Sequence, residues 1–312
     1  MDEISIISRL AEIFNGRSDV GLEVGIGDDA AVVRLEGQSV VVATDILTEG
    51  THFDRRWSDL YSIGRKAAAA NLADIFAMGI EARYLLVAVA FPAGESEAIL
   101  DLGRGIADES ALVNARVIGG DLARSDRLTV AITALGERLN DQRIITRSGA
   151  GDGDGLYITS LPGRSALGLA QLQRDKRIDE TSIAFHRAPS VAYQEFIAAA
   201  SVASSMCDLS DGIAIDAASL ARSSKVAIEI ESALLEAHPH FEGIAHLARQ
   251  IGVDPIEVIL TSGEEHSPLF TAKPDEDLGG RFHRIGRVRS ADHAHISLDG
   301  AEQSATGFKH FD

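Results

Sequence analysis

The stretch GIGDDAAVV, Gly25 to Val33, sets two adjacent carboxylates, Asp28 and Asp29, between a glycine-rich turn and an apolar run. Two like charges are tolerated there either as a solvated surface turn, for which Gly and Asp are ordinary residues, or around a cation. More acids follow apolar, strand-like runs: Asp45 after VVVAT, Asp121 after VIGG and Asp208 after SSMC. Strand ends are where open α/β-type sheets build their sites. Asp74 lies instead on the helical segment KAAAANLADIFAMG, with Asn71 three residues earlier, so both polar side chains share one face amid alanine. Asp211, in DLSDG, either caps the following helix or joins the other carboxylates.

Together Asp28, Asp29, Asp45, Asp74, Asp121, Asp208 and Asp211 form an oxygen-only set with no Cys or His companion at zinc-like spacing. Such a set suits hard Mg²⁺, which is held by a few carboxylates plus substrate phosphates, the recurring device of phosphoryl transfer. A P-loop enzyme is excluded, because no GxxxxGK[ST] occurs; neither does a kinase-type HRD with DFG, nor a GxGxxG after a strand. GDGDG, 151–155, lacks the third acid and the closing Glu of a calcium loop and reads as a turn.

The elements that must position these acids alternate along the chain. Strands are expected at 40–45, 83–91, 115–121 and 128–136, and helices at 58–78 and 95–113. Ser58 is the expected N-cap of the first helix and Gly79 its C′ residue. After the Gly/Asp-rich break RSGAGDGDG, 147–155, come LYITS, a helix at 164–174, a helix near 212–222, the run KVAIEI, and strands near 267–271, 284–288 and 295–299. We expect an α+β architecture of two tandem α/β domains, 1–138 and 139–312, with the boundary falling between 138 and 150.

Composition sets the outer limits. The 312 residues are 45% hydrophobic with no apolar stretch of 18 or more, which predicts a soluble globular chain. A formal net charge of −18 disfavours nucleic acid and anionic membranes as partners. The opening MDEISIISRL shows no secretory pattern, and the single cysteine, Cys207, excludes an internal disulfide, so a cytoplasmic address is the expectation.

In order and spacing, GIGDDAAVV, ATDILTEGTHF (43–53), NLADIFAMG (71–79), GGD (119–121), TRSGAGDGD (146–154), CDLSDGIAID (207–216), SGEEHSPLFT (262–271) and GFKHF (307–311) resemble thiamine-monophosphate kinase over nearly the whole chain. Broader relatives in the aminoimidazole-ribonucleotide synthetase and selenophosphate synthetase-like superfamily share the GDDA-type and D-x-S-D-G elements. The resemblance implies ATP-dependent conversion of thiamine phosphate to thiamine diphosphate in a homodimer, with N-terminal strands forming a shared barrel and the C-terminal domain closing over the site. It further implies Mg²⁺ at Asp29, Thr44, Asp45, Asp74, Asp121, Asp208 and Asp211, with Asp28 orienting the turn. Gly120, Asp121, Arg147 and Ser210 would contact ATP; His52, Glu264 and Phe308 would contact thiamine phosphate. Read as residues alone, His52 beside Phe53 is equally a core histidine, and Phe308 a terminal-strand core aromatic.

Departures from the family pattern fall mainly on the substrate side. Where GGEDYELLF is usual this chain has Ser262 to Phe270 as SGEEHSPLF; Leu122 and Ala123 replace the threonines after GGD, Ala43 stands where serine is common, and the arginine after Pro189 is missing. Two alternatives remain: another ATP-dependent synthetase of the superfamily, or a catalytically silent nucleotide or thiamine phosphate binder. A kinase of this kind needs no general base, since the attacking phosphomonoester, with a second pKa of about 6, is already largely anionic. No Ser/His/Asp or Cys/His arrangement is evident, in keeping with that chemistry.

Overall fold

A computed structural model of the chain describes residues 22–35, 38–94, 97–139, 142–274, 278 and 280–303. Its first sheet runs β1-β2-β3-β6-β4-β5. The strands are β1 (Leu22–Val24), β2 (Ala31–Leu35), β3 (Gln38–Thr48), β4 (Ala82–Phe91), β5 (Arg116–Arg124) and β6 (Thr129–Glu137). Neighbours pair antiparallel except β4 and β5, which are parallel. The alternation in β6, where Val130, Ile132 and Ala134 are buried, marks the face covered by helices α1 (Leu60–Ala77) and α2 (Ile99–Ala111).

Helix α1 forms because a run of four alanines, 67–70, combines high helical propensity with a slim profile that fits between neighbours. Its N-cap is Asp59 rather than the expected Ser58: the Asp59 carboxylate accepts from Ser62 N at 2.7 Å. Ser58 is still inside the preceding turn, where its N–H donates to Asp54 O at 2.9 Å. Gly79 closes the helix as expected, at φ +75° with its N–H on Phe76 O. Helix α2 begins later than expected, at Ile99, and crosses α1 at two glycines. A Cβ on Gly64 would lie 2.1 Å from Leu102 O, and one on Gly105 would lie 2.0 Å from Tyr61 O.

The second sheet has the order β13-β12-β9-β11-β7-β10-β8, built from β7 (Gly155–Ile158), β8 (Ser205–Asp208), β9 (Ala227–Ile230), β10 (Pro268–Ala272), β11 (His283–Arg289), β12 (His295–Leu298) and β13 (Ala301–Gln303). Helices α3 (Arg164–Gln173), α4 (Glu180–Arg187), α5 (Tyr193–Ala200), α6 (Ile213–Ser224), α7 (Ser232–Glu236), α8 (Phe241–Ile251) and α9 (Pro255–Thr261) complete this half. Residues 142–154, which join the sheets, carry no helix or strand, and GDGDG is a turn as expected, with Asp154 accepting from Gly151 N.

One hydrophobic cluster spans both halves, placing Ile75 and Phe76 of α1 and its C-cap Met78 with Phe196, Met206 and Phe270. Helix α1 therefore packs against both the first sheet and strand β8 of the second, where the two halves meet.

Candidate active site

Three carboxylates from separate segments converge there: Asp29 from the β1–β2 turn, Asp74 from α1 and Asp208 from the end of β8. Each offers one oxygen, and the three oxygens lie within 4.8 Å of one another. Asp29 Oδ2 and Asp208 Oδ1 are buried without a hydrogen-bond partner among the described residues. Burial, then Asp208 and Asp28 against the pull of Arg147, lifts Asp29 to about 7. Asp74 is pushed well above the usual carboxylate range by burial and then by Asp45, Asp208 and Asp29. Buried carboxylates that crowd each other and leave oxygens unpartnered are a donor set fitted to a hard divalent cation.

Asp28 does a different job. Its carboxylate accepts the backbone N–H of Asp29 at 3.0 Å and of Arg147 at 3.0 and 3.2 Å, pinning the turn to the segment that joins the two halves. Arg147 is turned back into the protein: its Nε donates to Asp29 Oδ1 at 3.0 Å, a second nitrogen bonds the same oxygen, and Nη1 reaches Ser219 Oγ at 3.1 Å. Asp45 lies inside β3 rather than at its end, because Ile46 to Thr48 continue the ladder to β6. The Asp45 N–H donates to Asn71 Oδ1 at 3.0 Å, which ties β3 to α1 beside Asp74.

Two cavities share the walls His52 and Glu264, and Asp45 and Asp211 line the smaller of them. The smaller, about 320 Å³, is lined by Thr44, Asp45, Lys66, Ser210, Asp211 and His266 together with His52 and Glu264. The larger, about 610 Å³, shares His52 and Glu264 and adds Phe53, Trp57, Leu169 and His186. His52 accepts Thr48 N–H at Nδ1, 3.0 Å, so a neutral ring carries its proton on Nε2. Glu264 takes a left-handed backbone, φ +59°, with its N–H on Ser210 O at 2.7 Å. Its Oε2 accepts from Lys66 Nζ at 2.6 Å. Burial opposes that charge, but Lys66 and His186 outweigh it and hold Glu264 below its ordinary range.

The loop carrying Ser210 and Asp211 is clamped by Asp216, whose Oδ2 accepts the N–H groups of Ser210, Asp211 and Gly212, each at 3.1 Å. Gly212 is the N-cap of α6 and no side chain caps it, so the capping role open to Asp211 is not the one taken. Asp211 instead lines the smaller cavity. Thr44 turns its hydroxyl to Ile132 O at 2.9 Å.

Gly120 and Asp121 are not brought to this cluster within the chain. Both lie inside the exposed strand β5, which runs on to Arg124, and β6 and β4 separate it from β3: roughly 14 Å at the usual interstrand spacing. Glycine at 120 has a local reason, since a Cβ there would meet Val87 O at 1.8 Å. Phe308 lies outside the described residues.

Sequence reasoning passed over Lys66, Asp216, Glu265 and His266. Glu265 Oε1 accepts from Gly163 N, Ser165 N and Ser262 Oγ, tying the start of α3 to the 262–266 segment. His266 Nδ1 lies 3.0 Å from Asp208 Oδ2. Burial works against its charge, yet the bond to Asp208 and the pull of Asp208, Glu264 and Asp45 raise His266 above its ordinary value. Lys66 follows Arg65 at the head of an alanine run, an ordinary pairing of basic residues that gave no signal of its role.

Residues 27–138, which hold β2 to β6 with α1 and α2, match the family model described as AIR synthase related protein, N-terminal domain. The thiamine-monophosphate kinase of Mycobacterium tuberculosis (strain ATCC 25618 / H37Rv) is 33% identical over 307 residues, 97% of this chain and 89% of that protein. That of Escherichia coli (strain K12) is 32% identical over 299 residues, 92% and 87% of the two chains. The solved structure of AaThiL complexed with AMPPCP and TMP superposes at a TM-score of 0.88 and 27% identity, covering 99% of this chain and 97% of the other. The chain belongs to the thiamine-monophosphate kinase family.

Proposed function

We propose that the protein transfers the γ-phosphoryl group of ATP to thiamine phosphate, giving thiamine diphosphate. The observation that carries this reading is the meeting of Asp29, Asp74 and Asp208 beside a cavity walled by His52 and Glu264, and kinship supports it: the relatives are named for the reaction, and AaThiL was solved with AMPPCP and TMP. Mg²⁺ is the ion the oxygen donors suit. Asp29, Asp74 and Asp208 would hold it with Asp45, Asp211, Thr44 and Asp121, and when bound it would neutralise phosphate charge and bring the two anions together.

The chain's own residues divide the remaining work. His52, protonated on Nε2, donates to the acceptor phosphate, and the Glu264 carboxylate faces the cationic ring system. Asp216 holds Ser210 and Asp211 in place for nucleotide binding. Arg147, with Gly120 and Asp121, contributes on the ATP side while keeping Asp29 aimed. Phe308 is the aromatic that kinship assigns to the thiamine side. No side chain need remove a proton, since the acceptor oxygen is already anionic. The altered 262–268 segment does not favour a silent binder, because Glu264 is in place and His266 supports Asp208.

The assembly we propose is a homodimer formed through the first sheet. Edge strand β5 is exposed along its whole length, with Ile118 at 59% and Leu122 at 67%, and the open face of the sheet adds Ile46 and Tyr84. In such a pair, Gly120 and Asp121 of one subunit can serve the cluster of the other. No helix among the described residues is long and apolar enough to cross a membrane. With one buried cysteine, Cys207, a cytoplasmic address without nucleic-acid or membrane partners is the corresponding reading.

The test is ADP release from ATP and Mg²⁺ with and without thiamine phosphate. Release that depends on thiamine phosphate supports the proposal; release with a formylglycinamidine ribonucleotide instead would move the protein to the synthetases. Nucleotide binding without release would identify a silent binder.

A further inference from the structure

Lys66 is almost wholly buried on α1, and its hydrogen bonds go to groups other than Asp29, Asp74 and Asp208. An ammonium group has three donors, and all three are used: Nζ reaches His52 O at 3.0 Å, His186 O at 3.2 Å and Glu264 Oε2 at 2.6 Å. Lys66 therefore has no donor left for a phosphate and is not a phosphate-binding lysine. Its three acceptors come from three segments, the turn after β3, the end of α4 and the 262–266 loop.

Those acceptors also mark a boundary. Lys66 lines the smaller cavity and His186 the larger, while His52 and Glu264 line both. The Lys66 clasp is thus the septum between an acid-lined chamber and one walled by Phe53, Trp57 and Leu169. A ligand with a phosphate at one end and a cationic ring system at the other would straddle it. With Oε2 of Glu264 taken by Lys66, Oε1 is left for the cation. Because Glu264 also carries a left-handed backbone, its placement must be imposed by its neighbours.

We propose that Lys66 is a positioning residue for thiamine phosphate, acting through Glu264, which it fixes as the divider between the two chambers. The inference rests on the kinase reading above, and the wild-type enzyme tests that reading separately.

The experiment compares wild type with Lys66→Met, Lys66→Arg, Glu264→Gln and the Lys66→Met/Glu264→Gln double variant. It measures KM for each substrate, kcat, the melting temperature, and thiamine phosphate binding by quenching of Trp57, the chain's one tryptophan. Lys66→Met should raise KM for thiamine phosphate about tenfold or more while KM for ATP stays within about twofold, with Lys66→Arg recovering part of the loss. The double variant leaves neither charge buried alone, so it should fold even if Lys66→Met does not, and it should bind thiamine phosphate no more weakly than Glu264→Gln.

Three results would overturn the proposal: an unchanged KM for thiamine phosphate in Lys66→Met, an equal rise for ATP, or a double variant much weaker than Glu264→Gln. A wild-type enzyme showing neither quenching nor thiamine phosphate-dependent ADP release would remove the kinase reading and this inference with it.

Discussion

Asp29 and Asp74 are held where their charges are least welcome, which makes the metal-free protein's stability a readout of the site. Asp29 titrates near 7 in the folded chain, against an ordinary aspartate value of about 3.9 when unfolded. Between those limits the folded state binds more protons than the unfolded one, so this residue's contribution falls as pH rises from about 4 to about 7. Asp29→Asn removes that loss, and the attraction of Arg147 is already contained in the value near 7, because the ion pair forms only as Asp29 gives up its proton. In EDTA, the stability of Asp29→Asn relative to wild type should therefore increase from pH 5 to pH 8 by an amount on the order of a few kcal/mol. His186 and His238, each lowered to about 4 mainly by burial, titrate in both proteins and cancel. Melting curves at the two pH values check this, and a constant difference would count against it. Asp74→Asn should likewise keep or raise the metal-free melting temperature while abolishing ADP release; wild-type turnover in that variant would exclude Asp74 from the cluster.

At the scale of elements, the crossing of α1 and α2 is the most exacting contact. Gly105→Ala would drive a methyl into the Tyr61 carbonyl, and the helices must part, at about 3 kcal/mol. A drop in melting temperature of several degrees is expected, and an unchanged melt would contradict the close approach. Most of these elements were legible in the sequence, because period-two runs such as LTVAITALG and an alanine-rich helix leave little choice. Strand ends were not: β3 and β5 run past Asp45 and Asp121, since a polar residue on an open face does not stop a ladder whose partner strand continues. The acids of the cluster were readable as residue types near turns. Lys66 was not, because its partners stand 14, 120 and 198 positions away, and spacing carries no trace of such a meeting. Asp216 escaped for the opposite reason: a carboxylate one turn into a helix looks like an ordinary first-turn acid, yet it serves the loop in front.

The whole molecule should work as a pair. Leu122→Lys on the exposed edge should convert a micromolar dimer into a monomer in sedimentation runs, and a monomeric wild type would contradict the pairing. Sharing of sites can be tested by mixing two inactive proteins, Asp74→Asn and Asp121→Asn. If one subunit's Asp121 serves its neighbour's cluster, each mixed dimer carries one intact site, and random exchange of subunits should restore about a quarter of wild-type activity. No recovery would place Asp121 in its own chain's site or outside it.

Helix α1 carries Lys66, Asn71 and Asp74 among Ala67, Leu72, Ala73 and Ile75, which lie in the hydrophobic cluster spanning both halves. Many enzymes keep their catalytic groups on loops that open long before the core does. Here the amides behind the site belong to a buried helix and should be among the slowest in the chain to exchange with deuterium. Heat should consequently leave no folded but inactive intermediate: loss of the site and global unfolding become one cooperative event, traced by a single transition whichever is followed.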